Sequence, residues 1–311
     1  MSGRAASVQA QAKVNLFLHV GGREPSGYHQ IETLFCRLDL ADDVVVRVPA
    51  PGKGSARTLE STGDDTGPRE ENLAYRAAVL YAERRGWPSG FAIEITKCIP
   101  VGGGLGGGSA DAGAVLRVLR ALDPEPPPAA TLLLWAARLG ADVPFMAMES
   151  PLALGSGHGE ILTPLAALPA RGVVLYIPSF RVSTRDAYGW LDEARARPGG
   201  DGPPVAHRAA PSAGDRLTDP AAYADWDRVV PLMMNDFQPV VGQRYGDIPL
   251  VVSRLRAVPN VIAALMSGSG STVYGVMNRF DAPRGVMLMP ADGNMMMTST
   301  AEHVVGVRRI D

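Results

Sequence analysis

Short apolar stretches with alternating positions mark the strands of this chain. Between residues 12 and 20, Val14, Leu16, Leu18 and Val20 alternate with polar or aromatic side chains. A period of two is typical of a strand that buries one face, so this stretch is predicted to be an early strand. Further strands are predicted over residues 31–40, 42–48 and 91–95, and a strand of the buried type is predicted over residues 172–178.

Apolar residues at helical spacing predict three helices in the first half. Residues 72–85 carry Leu73, Ala77, Leu80 and Tyr81 at intervals of three and four. A second helix, marked by apolar residues from 115 to 122, stops before the proline-rich run 124–128. A third is predicted over residues 129–139, closed by the glycine at position 140.

The length of the chain predicts two domains. Its 311 residues exceed what one core usually fills, and a second half begins near residue 166. We therefore divide the chain into residues 1–165 and 166–311. Two stretches show no clear pattern: a Gly-, Pro- and Ala-rich insertion at 199–224 and a methionine-rich tail after Asn278.

Net charge and cysteine content limit the kinds of partner that this protein is expected to bind. With 30 basic and 32 acidic residues, the net charge of −2 provides no basic footprint for nucleic acid. Two cysteines, Cys36 and Cys98, cannot form a disulfide framework or bind zinc by themselves. His19, His158, His207 and His303 are scattered and form no metal cluster in the sequence. The first residues lack the uninterrupted apolar run of a secretory signal, and no stretch matches a membrane span. We expect a cytoplasmic protein that binds neither nucleic acid nor membrane.

The main chemical signal is six glycines within residues 102–108, between a predicted strand and a predicted helix. Glycine lets the backbone approach a phosphate closely, and the N-terminus of the following helix adds positive potential. A flexible linker is the alternative, but linkers do not lie between such periodic elements. The loop lacks the Gly-Lys-Ser/Thr of a Walker A loop, and the proline run after the helix does not fit a Rossmann unit. At Gly107 we expect a left-handed backbone that excludes a side chain.

Three glycine-rich or polar blocks resemble the motifs of the GHMP kinases. The loop at 100–111 resembles their second motif, residues 12–18 their N-terminal motif, and residues 266–272 their C-terminal glycine motif. Within the superfamily, residues 26–35, 139–145, 157–162 and 235–237 are similar to the family of 4-diphosphocytidyl-2-C-methyl-D-erythritol kinases. The blocks occur in the family's order, and the resemblance covers most of residues 10–275. It departs from the family at Ala110, where a second serine is usual, so one hydroxyl contact to phosphate is missing.

The resemblance implies an α+β protein of the two-domain GHMP kinase fold. Its N-terminal domain would bind the nucleotide, and its C-terminal domain would be an α/β sandwich. The implied activity is ATP-dependent phosphorylation of the 2-hydroxyl of 4-CDP-2-C-methyl-D-erythritol in the non-mevalonate route to isoprenoid precursors. ATP and Mg²⁺ are the implied cofactors, with the magnesium ligands left open. The partner is a small-molecule substrate, and the protein is a monomer or a homodimer.

The resemblance also assigns site residues. Lys13 and Asp142 are implied to be catalytic: Asp142 takes or orients the proton of the hydroxyl, and Lys13 offsets developing charge. Read without the family, Asp142 fits a helix cap equally well, and Lys13 fits a solvated strand residue. The ATP-binding residues are Pro100, Val101, Gly102, Gly103, Gly104, Leu105, Gly106, Gly107, Gly108, Ser109 and Ala110, with Asn72 and Lys97 near the adenosine. The substrate-binding residues are Asn15, Tyr28, His29, Thr184 and Tyr188, with the two tyrosines stacking on cytosine.

Two other functions compete with this interpretation. One is another small-molecule GHMP kinase of the homoserine or mevalonate type, which the pair Tyr28 and His29 disfavours. The other is a non-catalytic protein that binds nucleotide and senses a metabolite. The presence of both Lys13 and Asp142 disfavours that second function.

Overall fold

The computed structural model describes residues 3–50, 52–65, 67–196, 223–278, 290 and 292–310. Most of the predicted insertion at 199–224, and Met287 and Met289 of the tail, lie outside the described residues. The strands are β1 (Arg4–Arg23), β2 (His29–Val48), β3 (Arg57–Thr62), β4 (Phe91–Thr96), β5 (Leu152–Ser156), β6 (Ile161–Leu165), β7 (Gly172–Ile177), β8 (Met234–Asn235), β9 (Val261–Met266), β10 (Val273–Met277), β11 (Asn294–Ser299) and β12 (Arg308–Ile310). The helices are α1 (Leu73–Arg85), α2 (Gly107–Leu122), α3 (Ala129–Ala136), α4 (Val143–Ala147), α5 (Thr184–Arg195), α6 (Trp226–Val229), α7 (Phe237–Gly242) and α8 (Asp247–Arg256). This mixture confirms the predicted α+β class.

Two sheets organise the described residues. The first runs β12-β1-β2-β4-β3, with β5 and β6 continuing from β2 and β8 beside β1. The second is β11-β7-β10-β9. The predicted boundary between residues 165 and 166 stays a prediction, and two short strands beyond it, β8 and β12, pair with β1. No described helix has the length and apolar character needed to cross a membrane.

The predicted strands 31–40 and 42–48 are one continuous strand, β2, so the break at residue 41 was wrong. The polar residues Asp42 and Asp43 follow the predicted break. Here Asp42 is fully buried, and its Oδ1 accepts hydrogen bonds from the backbone N–H groups of Cys98 and Ile99 at 2.6 and 2.8 Å. A carboxylate that is paired in this way is tolerated inside a sheet.

Helix α2 begins at Gly107, eight residues before the first apolar residue that predicted it. Gly106 precedes it in a left-handed conformation with φ of 71°. The glycines at 107 and 108 therefore lie within the first helical turn, although glycine is a poor helix former. Most of α2 is buried between the first sheet and α1 and α4. The loop thus leads directly into the buried helix α2, whose N-terminus lies at the candidate site described below.

Each of the two hydrophobic core clusters contains residues of both sheets. Tyr274 on β10 is fully buried in the cluster that fills the first sheet, and its hydroxyl donates to the Asn15 carbonyl at 2.8 Å. Conversely, Leu18 and Val20 of β1 pack in the cluster of the second sheet. Strand β1 consequently contacts both halves, and its middle part lies where the functional side chains meet.

Candidate active site

Lys13 is held on β1 by a chain of buried hydrogen bonds. Its Nζ donates to Asn15 Oδ1 at 2.7 Å, Asn15 Nδ2 donates to Thr33 Oγ1 at 2.7 Å, and Thr33 donates to the Phe17 carbonyl. Lys13 and Asn15 lie two residues apart, so they share one face of the strand. Register shifts flank this segment on both sides. Such irregularities commonly redirect a side chain in a sheet, and the lysine is not the solvated strand residue that its position alone suggested.

Asp142 precedes the short helix α4, but its carboxylate makes no capping hydrogen bond. It lies instead 3.2 Å from Lys13 Nζ, with its side chain 29% exposed and that of Lys13 4% exposed. The capping alternative is therefore wrong for the side chain. A nearly buried ammonium thus lies beside a carboxylate that is partly exposed and so accessible to a substrate.

The glycine loop is locked against the C-terminal glycine motif. Ser267 Oγ donates to the Gly104 carbonyl at 2.9 Å, and Thr272 N donates to the Gly103 carbonyl at 3.0 Å. A Cβ at Gly104 would lie 2.4 Å from the Ser267 carbonyl oxygen, a contact that no side chain tolerates. The two loops therefore approach so closely that glycine is required at the point of contact.

The left-handed positions of the loop are Gly102, Gly104 and Gly106, with φ between 71° and 80°. The expectation of a left-handed Gly107 is wrong, because Gly107 is the first residue of α2. No side chain caps this helix, so its first N–H groups point toward the loop without a side-chain partner. Free N–H groups at a helix N-terminus are suited to bind phosphate oxygens.

One cavity of about 420 Å³ is lined by Lys13, Asp142 and the glycine loop together. We call it the central cavity. Of the predicted residues it is lined by Lys13, Asn15, Pro100, Gly102, Gly103, Gly104, Leu105, Gly106, Gly107, Gly108, Ser109, Asp142, Thr184 and Tyr188. Val101 lines a smaller neighbouring cavity of about 320 Å³, and Ala110 is buried in α2 behind the loop.

A second cavity of about 980 Å³ joins the first through shared lining residues. We call it the tyrosine cavity; Tyr28, His29, Thr184 and Tyr188 all line it. The ring of His29 stacks on that of Tyr188 at 4.9 Å between centroids, and its Nε2 lies 2.8 Å from Asp192 Oδ1. Burial, and then the Asp142 carboxylate, raises the pKa of Tyr188 to about 12, so its hydroxyl stays protonated.

Tyr28 is placed differently from Tyr188. Its side chain is 66% exposed and tilts toward the His158 ring, 5.3 Å away between centroids. It therefore lies at the rim of the tyrosine cavity with no ring stacked flat against it. Thr184 begins α5 and bonds with its hydroxyl to Ser269 Oγ at 2.9 Å, which ties α5 to the C-terminal glycine motif.

Asn72 and Lys97 are engaged with protein groups and do not line the central cavity. Asn72 caps α1, since its Oδ1 accepts the N–H of Ala74 at 2.9 Å. Lys97 Nζ bonds to Asp42 and, at 2.7 Å, to Asp111. Burial lowers the pKa of Lys97, but the two carboxylates outweigh it and raise that pKa overall. The roles of Asn72 and Lys97 near the adenosine stay predictions.

The sequence did not identify several residues that build the site. Asp192 follows Tyr188 by four residues on α5, a helical spacing that places both on one face. Asn235 is also missing from the predicted set, although the motif at 235–237 contains it. Its Nδ2 donates to the carbonyls of Met266 and Gly268, at 2.7 and 2.8 Å, and so fixes the C-terminal glycine motif.

The sequence of this chain is similar to those of known kinases. Residues 72–150 match the GHMP kinases N terminal domain. A 4-diphosphocytidyl-2-C-methyl-D-erythritol kinase of Anaeromyxobacter dehalogenans is 40% identical over 90% of this chain and 83% of its own length. One from Methylacidiphilum infernorum is 34% identical over 88% of this chain and 86% of its own.

Solved structures extend the comparison to the fold. A crystal structure of 4-(cytidine 5'-diphospho)-2C-methyl-D-erythritol kinase superposes with a TM-score of 0.69 at 36% identity, covering 96% of this chain and 99% of that one. A homoserine kinase from Cytophaga hutchinsonii has a TM-score of 0.67 at 17% identity, covering 98% and 97% of the two chains, and so shares the fold alone. The predicted GHMP kinase fold is confirmed. The chain belongs to the 4-diphosphocytidyl-2-C-methyl-D-erythritol kinase family.

Proposed function

We propose that this protein transfers the γ-phosphoryl group of ATP to the 2-hydroxyl of 4-CDP-2-C-methyl-D-erythritol, a step of the non-mevalonate route to isoprenoid precursors. The observation that carries the proposal is the Lys13–Asp142 pair, which faces the glycine loop across the central cavity. Phosphoryl transfer needs a positioned hydroxyl, a proton acceptor and positive charge near the phosphates. All three requirements are met by groups that line this one cavity.

ATP would place its phosphates against the loop 102–108 and the N-terminus of α2. The left-handed glycines turn the backbone without side chains, and the helix N-terminus supplies N–H donors and a positive dipole end. Ser109, in the first turn of α2, adds a hydroxyl that lines the same cavity. This arrangement suits a triphosphate, which presents many oxygen acceptors and high negative charge.

The reacting hydroxyl would lie between Asp142 and the γ-phosphate. Its oxygen forms the new bond to phosphorus while the bond from phosphorus to the bridging oxygen of ADP breaks, and its proton passes to the Asp142 carboxylate. Lys13 holds Asp142 in place and offsets the charge that develops on the transferred group. Asn15 and Thr33 keep the lysine side chain in one orientation.

Magnesium fits the donors of the central cavity, although its use here is part of the proposal. The oxygen donors beside the loop include the Asp142 carboxylate and the Ser109 hydroxyl. Mg²⁺ commonly binds one or two protein oxygens and completes its shell with waters and substrate phosphates. The described residues contain no cluster of three or more metal-binding side chains, which suits an ion held mainly by ATP. When bound, the ion would neutralise phosphate charge.

The tyrosine cavity would hold the cytidine. Tyr188 offers an aromatic face, and its stacking partner His29 is oriented by Asp192. When His29 Nε2–H donates to that carboxylate, Nδ1 of the neutral ring is an acceptor. A hydrogen-bond acceptor can bind the exocyclic amino group of cytosine, but it repels the carbonyl oxygen that uracil has in the same place. This arrangement predicts selection of cytosine over uracil.

Replacing Tyr188 with alanine is expected to weaken binding of the cytidine substrate and to leave binding of ATP unchanged. Loss of one stacking face costs about 1–3 kcal/mol in single-strand nucleic-acid binders, which sets the scale here. Calorimetric titration of the variant with the cytidine substrate and with a non-hydrolysable ATP analogue measures both affinities. The matched control is Tyr28→Ala, whose effect should be smaller because the ring is exposed at the rim. Equal losses for both ligands in Tyr188→Ala would contradict the assignment.

Replacing His29 or its partner Asp192 is expected to erode discrimination between cytidine and uridine substrates. In His29→Ala the ring is lost, and in Asp192→Ala it is free to turn, so the acceptor no longer faces the base in a fixed way. The ratio of kcat/KM for the two substrates should fall by roughly tenfold, the scale of one hydrogen bond. A ratio unchanged in both variants would show that base selection lies elsewhere.

The activity itself is tested by ADP release with a panel of alcohols. The cytidine substrate should give turnover, while homoserine and mevalonate should give rates near the background ATPase level. Turnover with homoserine or mevalonate would assign the chain to another kinase type, and binding of ATP with no turnover of any alcohol would indicate a sensor. Cytoplasmic location and a monomeric or homodimeric state remain predictions.

A further inference from the structure

Arg37 on β2 is a buried arginine without an acidic partner. It is 1% exposed, and no carboxylate among the described residues lies within 4 Å of its guanidinium. Burial, and then the nearby Arg117, lowers the pKa of Arg37 to about 9. A charge that is removed from water needs compensating hydrogen bonds, because the desolvation cost is otherwise several kcal/mol. The surroundings of this guanidinium should therefore supply strong acceptors.

The acceptors are backbone carbonyls at the C-terminal end of α4 and just beyond it. Arg37 Nη2 donates to Phe145, Met146 and Met148 at 2.7, 3.0 and 3.0 Å, and Nε donates to the Ser150 carbonyl at 3.2 Å. The last carbonyls of a helix have no partner within the helix. One side chain thus donates to carbonyls at the end of α4 and to carbonyls in the turn that follows it.

Helix α4 depends on such contacts because it is five residues long. A helix of that length is not stable alone, so its position is set by what surrounds it. Phe145 stacks on Phe35 of β2 at 4.8 Å between centroids, and the Arg37 guanidinium lies 4.9 Å from the Phe145 ring. On the α2 side, Gly113 lets the helices touch: a Cβ there would lie 2.5 Å from the carbonyl carbon of Met146.

The other end of α4 carries Asp142. This residue is the N-cap of the helix, and its carbonyl accepts the N–H of Met146 at 3.1 Å. The carboxylate of Asp142 has no hydrogen bond to its own helix. A shift or rotation of α4 would therefore move that carboxylate relative to Lys13, which is fixed on β1. A misplacement of about 1 Å can cost about 10²-fold in rate.

We propose that Arg37 is a positioning residue for phosphoryl transfer, which fixes Asp142 opposite Lys13 by binding the C-terminal carbonyls of α4. The inference rests on the proposed function, since it assumes that Asp142 acts in the transfer. Arg37 itself does not line the central cavity, so it acts through α4 and makes no contact with substrate.

Kinetics of Arg37→Met and Arg37→Lys test the inference. We expect kcat of Arg37→Met to fall by roughly 10- to 100-fold with both KM values changed less than about threefold, since the binding residues stay in place. Arg37→Lys keeps a donor and should recover part of the loss. The matched control is Arg117→Met, which removes another buried arginine that bonds to a backbone carbonyl, that of Val305. This control should lose stability without losing kcat per folded molecule.

A double-mutant cycle with Asp142→Asn separates positioning from general stability. If Arg37 acts through Asp142, adding Arg37→Met to Asp142→Asn should lower kcat by less than about threefold further. Two effects that multiply, or a fall in kcat for Arg117→Met equal to that for Arg37→Met, would overturn the inference. Should Arg37→Met not fold, Arg37→Lys and Arg37→Gln take its place in the same cycle.

The cycle also distinguishes failure of the inference from failure of the proposed function. Near-normal turnover in Asp142→Asn alone would remove Asp142 from the mechanism, and the role of Arg37 with it. An inactive Asp142→Asn combined with fully active, folded Arg37 variants would leave the proposed function intact and reject the positioning role alone.

Discussion

Asp142→Asn should lower kcat by about 10²-fold or more while the KM of the cytidine substrate stays nearly unchanged. The amide keeps the shape of the side chain and its partial exposure, but it cannot take a proton. Lys13 lies 3.2 Å from the carboxylate and would still have an oxygen acceptor there. The geometry of the site is thus largely preserved, so the fall in kcat measures the contribution of proton transfer to Asp142. Steady-state ADP release, with calorimetric binding of both substrates, provides the measurement.

The size of the loss also tells how Asp142 works. A fall of only a few-fold would assign it mainly an orienting role, because an amide oxygen can still accept a hydrogen bond from the hydroxyl. Asp186→Asn is the control, since Asp186 is an exposed carboxylate in the first turn of α5. It should leave turnover unchanged. Wild-type turnover in Asp142→Asn would remove this residue from the mechanism.

The glycine loop could be found in the sequence because its signal is local. A strand, a run of glycines and a helix are adjacent in the chain, and a glycine run has few other uses between periodic elements. The family motif then supplied Lys13 and Asp142, which lie 129 positions apart in the sequence. Spacing and periodicity alone could not have paired them, because contacts at that distance depend on the arrangement of β1 and α4.

The features that the sequence did not reveal depend on tertiary contacts. Local pattern alone suggests that Arg37 is an exposed strand residue, because its burial depends on packing against α4. Asp192 lies in no recognisable motif. The break predicted at residue 41 was wrong because local pattern cannot show that Asp42 is paired with distant N–H groups. Similarly, the left-handed position was assigned to Gly107 rather than Gly106, since composition does not show where a loop ends and a helix begins.

Gly106→Ala should lower kcat/KM for ATP by about 10²-fold or more. Gly106 has φ of 71°, where a side chain costs roughly 1–2 kcal/mol. Its Cβ would also lie 2.8 Å from Met146 Cε and 3.1 Å from Lys13 Cε. Relief of the strain must move the loop, the start of α2 or Lys13, and each of these shifts would disturb the proposed phosphate site.

The variant Gly86→Ala shows whether a loss of activity comes from damage to the site or from left-handed strain alone. Gly86 caps α1 with φ of 64°, and no atom lies within 4 Å of a Cβ built there. Gly86→Ala should therefore lose only the stability that left-handed strain costs, whereas Gly106→Ala should lose more, because its Cβ also meets Met146 and Lys13; calorimetry measures both losses. In Gly86→Ala, kcat/KM for ATP should change less than about twofold, because the position lies outside the central cavity. Equal activity in the two variants would contradict the prediction that a side chain at Gly106 disturbs the proposed phosphate site.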